Sequence, residues 1–232
     1  MEKRGAPALL SATVRWASPT RGARNERKDT RLGFYGGYRH GPHTGYVCLD
    51  YGWLRNDLSR AIAGMGVFPK ANYDSRILEL GGEYQYDLHA GKDTPWHISP
   101  YINLQLSGLR QDGYTERGAG IFGQRVDSAS NTYFAGGFGV ECKRYLTNGS
   151  YALRLGVKHA FSGADPRLTF GYIGDNAARY EMRSGQDKTH FIMRLGGEAE
   201  FVPGWWLEGE AGLQKGAHDK DVMCALTLRR MW

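Results

Sequence analysis

The chain has 232 residues, 33 of them glycine, with 12% aromatic and 23% charged residues; this length fits a single all-β barrel or sandwich. No apolar run approaches the roughly 18 to 20 residues that a membrane-crossing helix needs, so any encounter with a bilayer is through strands. The formal charge is +6, but residues 1–31 hold eight Lys/Arg against Glu2, Glu26 and Asp29 and carry +5 of it, which argues against the basic folded face that nucleic acid requires.

The start, MEKRGAPALLSATVRW, has a charged opening and a short apolar stretch, but Arg15 and Trp16 follow where a small-residue cleavage site belongs. Residues 1–30 are therefore expected to be a basic linker, or a truncated or misplaced start. Residues 31–232 are expected to form one domain.

From residue 31 the chain alternates polar and apolar side chains between turn signals, the pattern of strands with two unlike faces. Nine strands are expected, at 31–38, 44–54, 75–88, 96–108, 131–144, 150–162, 188–202, 205–214 and 222–232. In the third, Leu78, Leu80, Gly82, Tyr84, Tyr86 and Leu88 share one face, while Glu79, Gly81, Glu83, Gln85 and Asp87 share the other. The fourth sets Ile98, Ile102, Leu104 and Leu106 against Ser99, Asn103, Gln105 and Ser107. In the sixth, Tyr151, Leu153, Leu155 and Val157 oppose Arg154, Gly156 and Lys158; in the eighth, Trp205, Leu207, Ala211 and Leu213 oppose Glu208, Glu210 and Gln214.

Alternation alone fits both a soluble barrel with an apolar interior and a membrane barrel with a polar lumen. Connection length separates them. Short connections near Gly41-Pro42-His43, Gly91, Tyr145–Gly149 and Pro203-Gly204 alternate with long ones from Arg55 to Asp74, Leu109 to Ser130 and Gly163 to Asp187, followed by a modest loop near Gly216. Membrane barrels have short turns on one side and long loops on the other, whereas long structureless loops are uncommon in a compact soluble domain. Aromatics also gather near strand ends on the apolar face, at Tyr51, Trp53, Trp96, Phe161, Phe201, Trp205 and Trp232, as interfacial girdles require. The charged exceptions on that face, Arg144, His159 and Arg230, lie near the ends too, where long side chains reach water.

Several motifs invite chemistry and are better read as structure. Cys48, Cys142 and Cys224 are odd in number and lack metal-ligand spacing. Gly118-Ala-Gly120-Ile-Phe-Gly123 matches a dinucleotide fingerprint but sits in a loop with no helical pattern after it. Glu198/Glu200 and Glu208/Glu210 resemble acid–base pairs but fit the mixed lining of a lumen that also holds Arg154, Lys158 and Arg194. His40 and His43 lack a third ligand, and Asn148-Gly149 is first a type I′ hairpin signal. No cofactor or metal is expected.

The residues taken in order resemble the C-terminal translocator barrel of autotransporters, the type V secretion proteins of Gram-negative bacteria, over about residues 31–232. The resemblance rests on GFYGGYRH followed by YGWLRNDL, on ISPYINLQLSGL leading to GQRVDS, and on GGFGVECKR, GVKHAFSG, LGGEAEF and the terminal ALTLRRMW. It implies an antiparallel transmembrane β-barrel of twelve strands in the outer membrane, of which the nine expected strands would be the fourth through twelfth. It also implies a non-enzymatic role: anchoring and exporting an upstream passenger absent here, with outer-membrane lipids and the barrel-assembly machinery as partners. Nine strands is an odd number for such a barrel, and an open sheet exposes unpaired edges to hydrocarbon, so a truncated translocator is expected. Leu226, Leu228 and Trp232 resemble the family's terminal assembly signal, with Arg230 at a position where the family has an aromatic residue. The alternatives are a stand-alone outer-membrane barrel, acting as an adhesin or a lumen-rim hydrolase, and, more distantly, a soluble ligand-binding barrel.

Overall fold

The alternating segments build an antiparallel meander in the computed structural model, which describes residues 13–20, 23–62 and 64–230. Ten strands form one sheet: β1 (Thr13–Thr20), β2 (Ala23–His40), β3 (His43–Arg60), β4 (Lys70–Tyr86), β5 (Trp96–Gln111), β8 (Ala129–Leu146), β9 (Gly149–Ser162), β12 (Thr189–Val202), β13 (Trp205–Lys215) and β14 (Lys220–Arg230). Each main-sheet strand pairs with its successor in that order, so the sheet curls into a half-barrel with β1 and β14 at its ends. Two of the long loops carry the remaining strands, β6 (Tyr114–Thr115), β7 (Gln124–Val126), β10 (Arg167–Tyr172) and β11 (Asp175–Arg183), as a separate four-stranded sheet ordered β11-β10-β7-β6. Tyr73 at the end of β4 stacks on Tyr114 at 4.5 Å and 13°, joining this outer sheet to the wall.

Register fixes the faces. Leu80 lies opposite Leu49 on β3 and Leu106 on β5; Ile102 lies opposite Phe138; Val157 lies opposite Phe138 and Phe191. Because side chains alternate, these residues share one surface of the whole sheet, and they are exposed there: Ile102 61%, Leu104 60%, Phe138 66%, Leu226 75%. The other surface carries Glu79, Glu83, Arg154 and Lys158. Buried apolar side chains, Ala135, Ala160 and Ala164 among them, are few and mostly small. The sheet is thus inside-out relative to a soluble barrel.

All nine expected strands are present, with four corrections. First, residues 13–20 and 23–30, expected as linker, are strand: Thr13 pairs with Thr30, and Ala23 with Arg60. Second, the main sheet accordingly has ten strands, not nine. Third, β3 runs to Arg60 and β4 begins at Lys70, so the connection expected from Arg55 to Asp74 shrinks to residues 61–69. Residues 24–30 are polar on both faces, so no alternation marks them in the sequence. Fourth, the hairpin at Asn148 turns one residue early: Leu146 pairs with Gly149, which puts Thr147 and Asn148 at its centre, and among the described residues no non-glycine takes a positive φ, so the turn is not type I′. At Pro203-Gly204, Gly204 takes φ +80 at the second turn position, as a Pro-Gly turn needs.

Candidate functional site in the polar face of the half-barrel

The strands put a band of ionic and amide side chains on the inner face, and curvature lets distant strands meet there. Arg154 on β9 donates to Glu83 on β4, although β5 and β8 lie between. Three strand spacings amount to about 14 Å on a flat sheet, so this bond reports the curl. The Arg154 guanidinium also lies 3.6 Å from the centre of the Tyr101 ring and 4.0 Å from Glu141. Glu83 is nearly buried and accepts further bonds from Gln85 (2.7 Å) and Asn103 (3.4 Å), so its charge is fully engaged.

Tyr101 is only 4% exposed, since its ring lies across β8 and β9 at Gly139 and Gly156. A Cβ on Gly139 would come within 2.6 Å of the Tyr101 hydroxyl, and one on Gly156 closer still. The glycines therefore make room for the ring, and the ring holds Arg154 in place.

The same face continues with mixed charge. Arg31 donates to Asp29 (3.1 Å) and Glu79 (3.3 Å), Lys158 to Gln105 (2.7 Å), and Arg194 and Arg229 lie 3.7 and 3.6 Å from Glu210 and Glu198. A cavity of about 370 Å³ opens among Asp50, Glu79, Glu83, Arg154, Lys158 and Arg194. Most of these charges are paired in place, so the inner face is a wall of mixed charge rather than a patch of one sign. Among the described residues no group of three or more His, Cys, Asp or Glu could hold a metal ion.

The structure distributes the sequence candidates as follows. Glu198 takes the Ser150 hydroxyl (3.2 Å), Glu200 caps the Gly204 N–H (2.7 Å), and Glu208 faces Glu198 across the ladder. These carboxylates line the wall. The Gly118–Gly123 string spans the β6–β7 connection with a 3-10 turn at Gly120–Phe122. His40 pairs with His43 across the first hairpin, and His43 Nδ1 lies 2.7 Å from the Tyr84 hydroxyl. Cys48 points inward while Cys224 is exposed on the apolar face, and all three cysteines are free. Leu226 and Leu228 face outward on β14, and Arg230 stands opposite Trp205 with its guanidinium 5.4 Å from that ring. Trp232 lies outside the described residues. Arg144 covers Trp96 in the same way at 5.2 Å, so the expected girdle exists at the turn end with cations laid on its rings. Sequence reasoning missed the inward role of Tyr101; its place among Ser99, Asn103 and Gln105 was the available signal.

At the loop end a second cluster ties connections together. Asp187 accepts from the His218 N–H (2.6 Å) and lies 3.1 Å from His218 Nδ1, while His190 Nε2 lies 2.8 Å from Asp219. The His218 N–H holds the Asp187 carboxyl down at about 2, and the bond from His190 lowers that of Asp219.

A family model described as the autotransporter beta-domain matches residues 10–212. The esterases EstA of Pseudomonas aeruginosa and of Pseudomonas putida are each 24% identical over 186 residues, 78% of this chain. The chain spans 28% of the length of these curated relatives. Among solved structures, the translocator domain of the autotransporter NalP from Neisseria meningitidis superposes with a TM-score of 0.71 at 16% identity, over 91% of this chain and 68% of that one.

Proposed function

The chain belongs to the autotransporter β-domain family, and on that premise we propose that its polar inner face is the surface along which an upstream passenger leaves the cell. As an autotransporter barrel domain it is an outer-membrane protein. The observation that supports export is the sidedness: apolar residues such as Ile102, Leu104 and Phe138 are exposed outward, while Arg154, Glu83 and Tyr101 close over the inner face. That arrangement suits lipid outside and water inside.

Three finer readings belong to the same proposal. Outer-membrane lipids and the barrel-assembly machinery are its partners, the latter through Leu226, Leu228, Arg230 and Trp232 at the end of the chain. The domain has no catalytic role of its own: the esterase relatives carry their name over chains of which this one spans 28%, and the acidic pairs here are wall residues. Every edge in hydrocarbon must be covered, because each unpaired backbone group there costs several kcal/mol, so β1 and β14 each require a neighbour in the membrane.

The test is a fusion of a signal sequence and a reporter ahead of Met1, expressed in a Gram-negative host. Export predicts a reporter that added protease removes from intact cells. A reporter retained in the periplasm, with the barrel itself in the outer membrane and heat-modifiable in detergent, would overturn it.

A further inference from the structure

The outward face of β2–β5 is apolar through most of its height, yet at the loop end it carries four cations in one cluster. Lys28 stands directly opposite Arg55, and Arg76 directly opposite Arg110. Arg76 is also opposite Trp53, the residue next to Arg55 on that face. All four cations are exposed. Like charges facing one another across a ladder destabilise it, so the cluster calls for a counter-charge. The protein supplies part of it: Asp74 lies 3.5 Å from Arg55, with both side chains more than half exposed, and Asp57 stands on the same face two residues beyond Arg55, but among the described residues Lys28, Arg76 and Arg110 have no ion pair. Nearby Glu26 is taken by Arg24.

Three of the four cations, Lys28, Arg55 and Arg76, line a concavity of about 370 Å³ together with Thr30, Trp53 and Asp74, and Arg110 stands beside it, opposite Arg76. Its depth is set by its neighbours. Trp53 packs edge-on against Tyr51 at 4.4 Å, as an interfacial girdle, and the apolar band of Leu49, Leu78 and Leu80 begins beside that pair. Arg55 lies two residues, about 7 Å, beyond Trp53 along the strand, the level of lipid headgroups. The cationic surface ends at β8, where Arg110 faces Ser130 and Gly108 faces Thr132.

We propose that this concavity binds the phosphorylated headgroup of a lipid in the outer leaflet. Arg55 and Arg76 present forked donors that match phosphate oxygens, Lys28 adds a point charge, Arg110 adds a third guanidinium at the rim beside Arg76, and the Trp53 ring lies against the apolar part of the same molecule. The site rests on the outward face meeting lipid and is independent of whether any passenger is exported.

The experiment uses the full chain, folded in zwitterionic nanodiscs, titrated with bis-phosphorylated lipid A and with its dephosphorylated form, bound lipid being read by native mass spectrometry. The phosphorylated lipid is expected to bind at least about tenfold more tightly. The variant K28Q/R55Q/R76Q/R110Q loses that preference, R55K/R76K/R110K retains most of it, and millimolar inorganic phosphate does not compete. Heat-modifiable migration reports whether each variant is folded. Equal affinity of the wild-type chain for the two lipids would overturn the proposal, as would an unchanged preference in a folded quadruple variant. Displacement by free phosphate would overturn the lipid as its source. If the quadruple variant does not fold, the wild-type comparison of the two lipids decides alone. Failure of the wild-type chain itself to migrate as a folded barrel would instead count against the membrane reading.

Discussion

Arg154 concentrates the chemistry of the inner face in one side chain. It supplies the partner for Glu83, whose carboxyl is 4% exposed, and it stacks on Tyr101. Removing one member of a buried pair strands the other, at a cost of about 3 to 5 kcal/mol. R154A should therefore lower the urea midpoint of the detergent-folded barrel clearly, R154K should lower it less because the stacking and the fork are lost but the charge stays, and R154M/E83L should recover much of the loss. Equal midpoints for wild type and R154A would show that the pair does not hold the wall. Both residues were legible as inward-facing from alternation alone. Their meeting was not, because it depends on curvature across three strand spacings that no local pattern encodes. The Asp187 and Asp219 cluster at the loop end makes a second prediction. Both carboxyls are depressed in the folded state, so their contribution is complete above the ordinary carboxylate range near pH 4 and is lost as pH falls below it, for Asp187 through about 2. Limited proteolysis between residues 184 and 220 should be unchanged from pH 7 to pH 4 and rise towards pH 2, and D187N should show the raised cleavage already at pH 7.

At the scale of elements, the sequence was readable where the two faces of a strand meet different solvents and silent where they do not. The alternation of Leu78, Leu80 and Tyr84 with Glu79 and Glu83 locates β4 from residues alone. The run ARNERKDT at the start of β2 is polar on both faces, which made it look like linker although it pairs along its length with β3. The outer sheet was equally hidden: β6 and β7 have two and three residues, too short for a period to register. Besides the Tyr73–Tyr114 stack and the backbone bonds between Lys70 and Arg117, an ion pair positions them. Arg60, at the end of β3, donates two 2.7 Å bonds to Glu116, which is 2% exposed and also accepts the Gln124 N–H at 2.8 Å. E116A or R60A should loosen this attachment by about 3 kcal/mol. The expected result is faster proteolysis within residues 112–128 of a chain that still migrates as a folded barrel. Unchanged cleavage there would mean that the Tyr73–Tyr114 stack and the backbone bonds between Lys70 and Arg117 hold the sheet without the ion pair.

For the whole molecule, the organising fact is the inversion of inside and outside. A soluble barrel of this size would bury Ile102, Leu104, Phe138 and Leu195 together; here they are 53 to 66% exposed on one continuous surface, while carboxylates and guanidinium groups occupy the other. Such a surface is stable only against hydrocarbon, where the same strands keep charges off the middle of the wall, each of which would cost roughly 2 to 4 kcal/mol. Fold class, strand order and the identity of the two faces were all present in the sequence, whereas the wall's extension beyond the membrane, the outer sheet and the cationic concavity were not. The most direct test of the account labels β5 residue by residue. Cys48, Cys142 and Cys224 are replaced by serine, single cysteines are placed from Tyr101 to Ser107 and coupled to an environment-sensitive fluorophore, and the chain is folded in vesicles containing brominated lipid. The account predicts that labels at positions 102, 104 and 106 emit in the blue and are quenched by the bromine, while labels at 103, 105 and 107 emit as in water and none at the odd-numbered positions is quenched. The opposite alternation, or none, would contradict it.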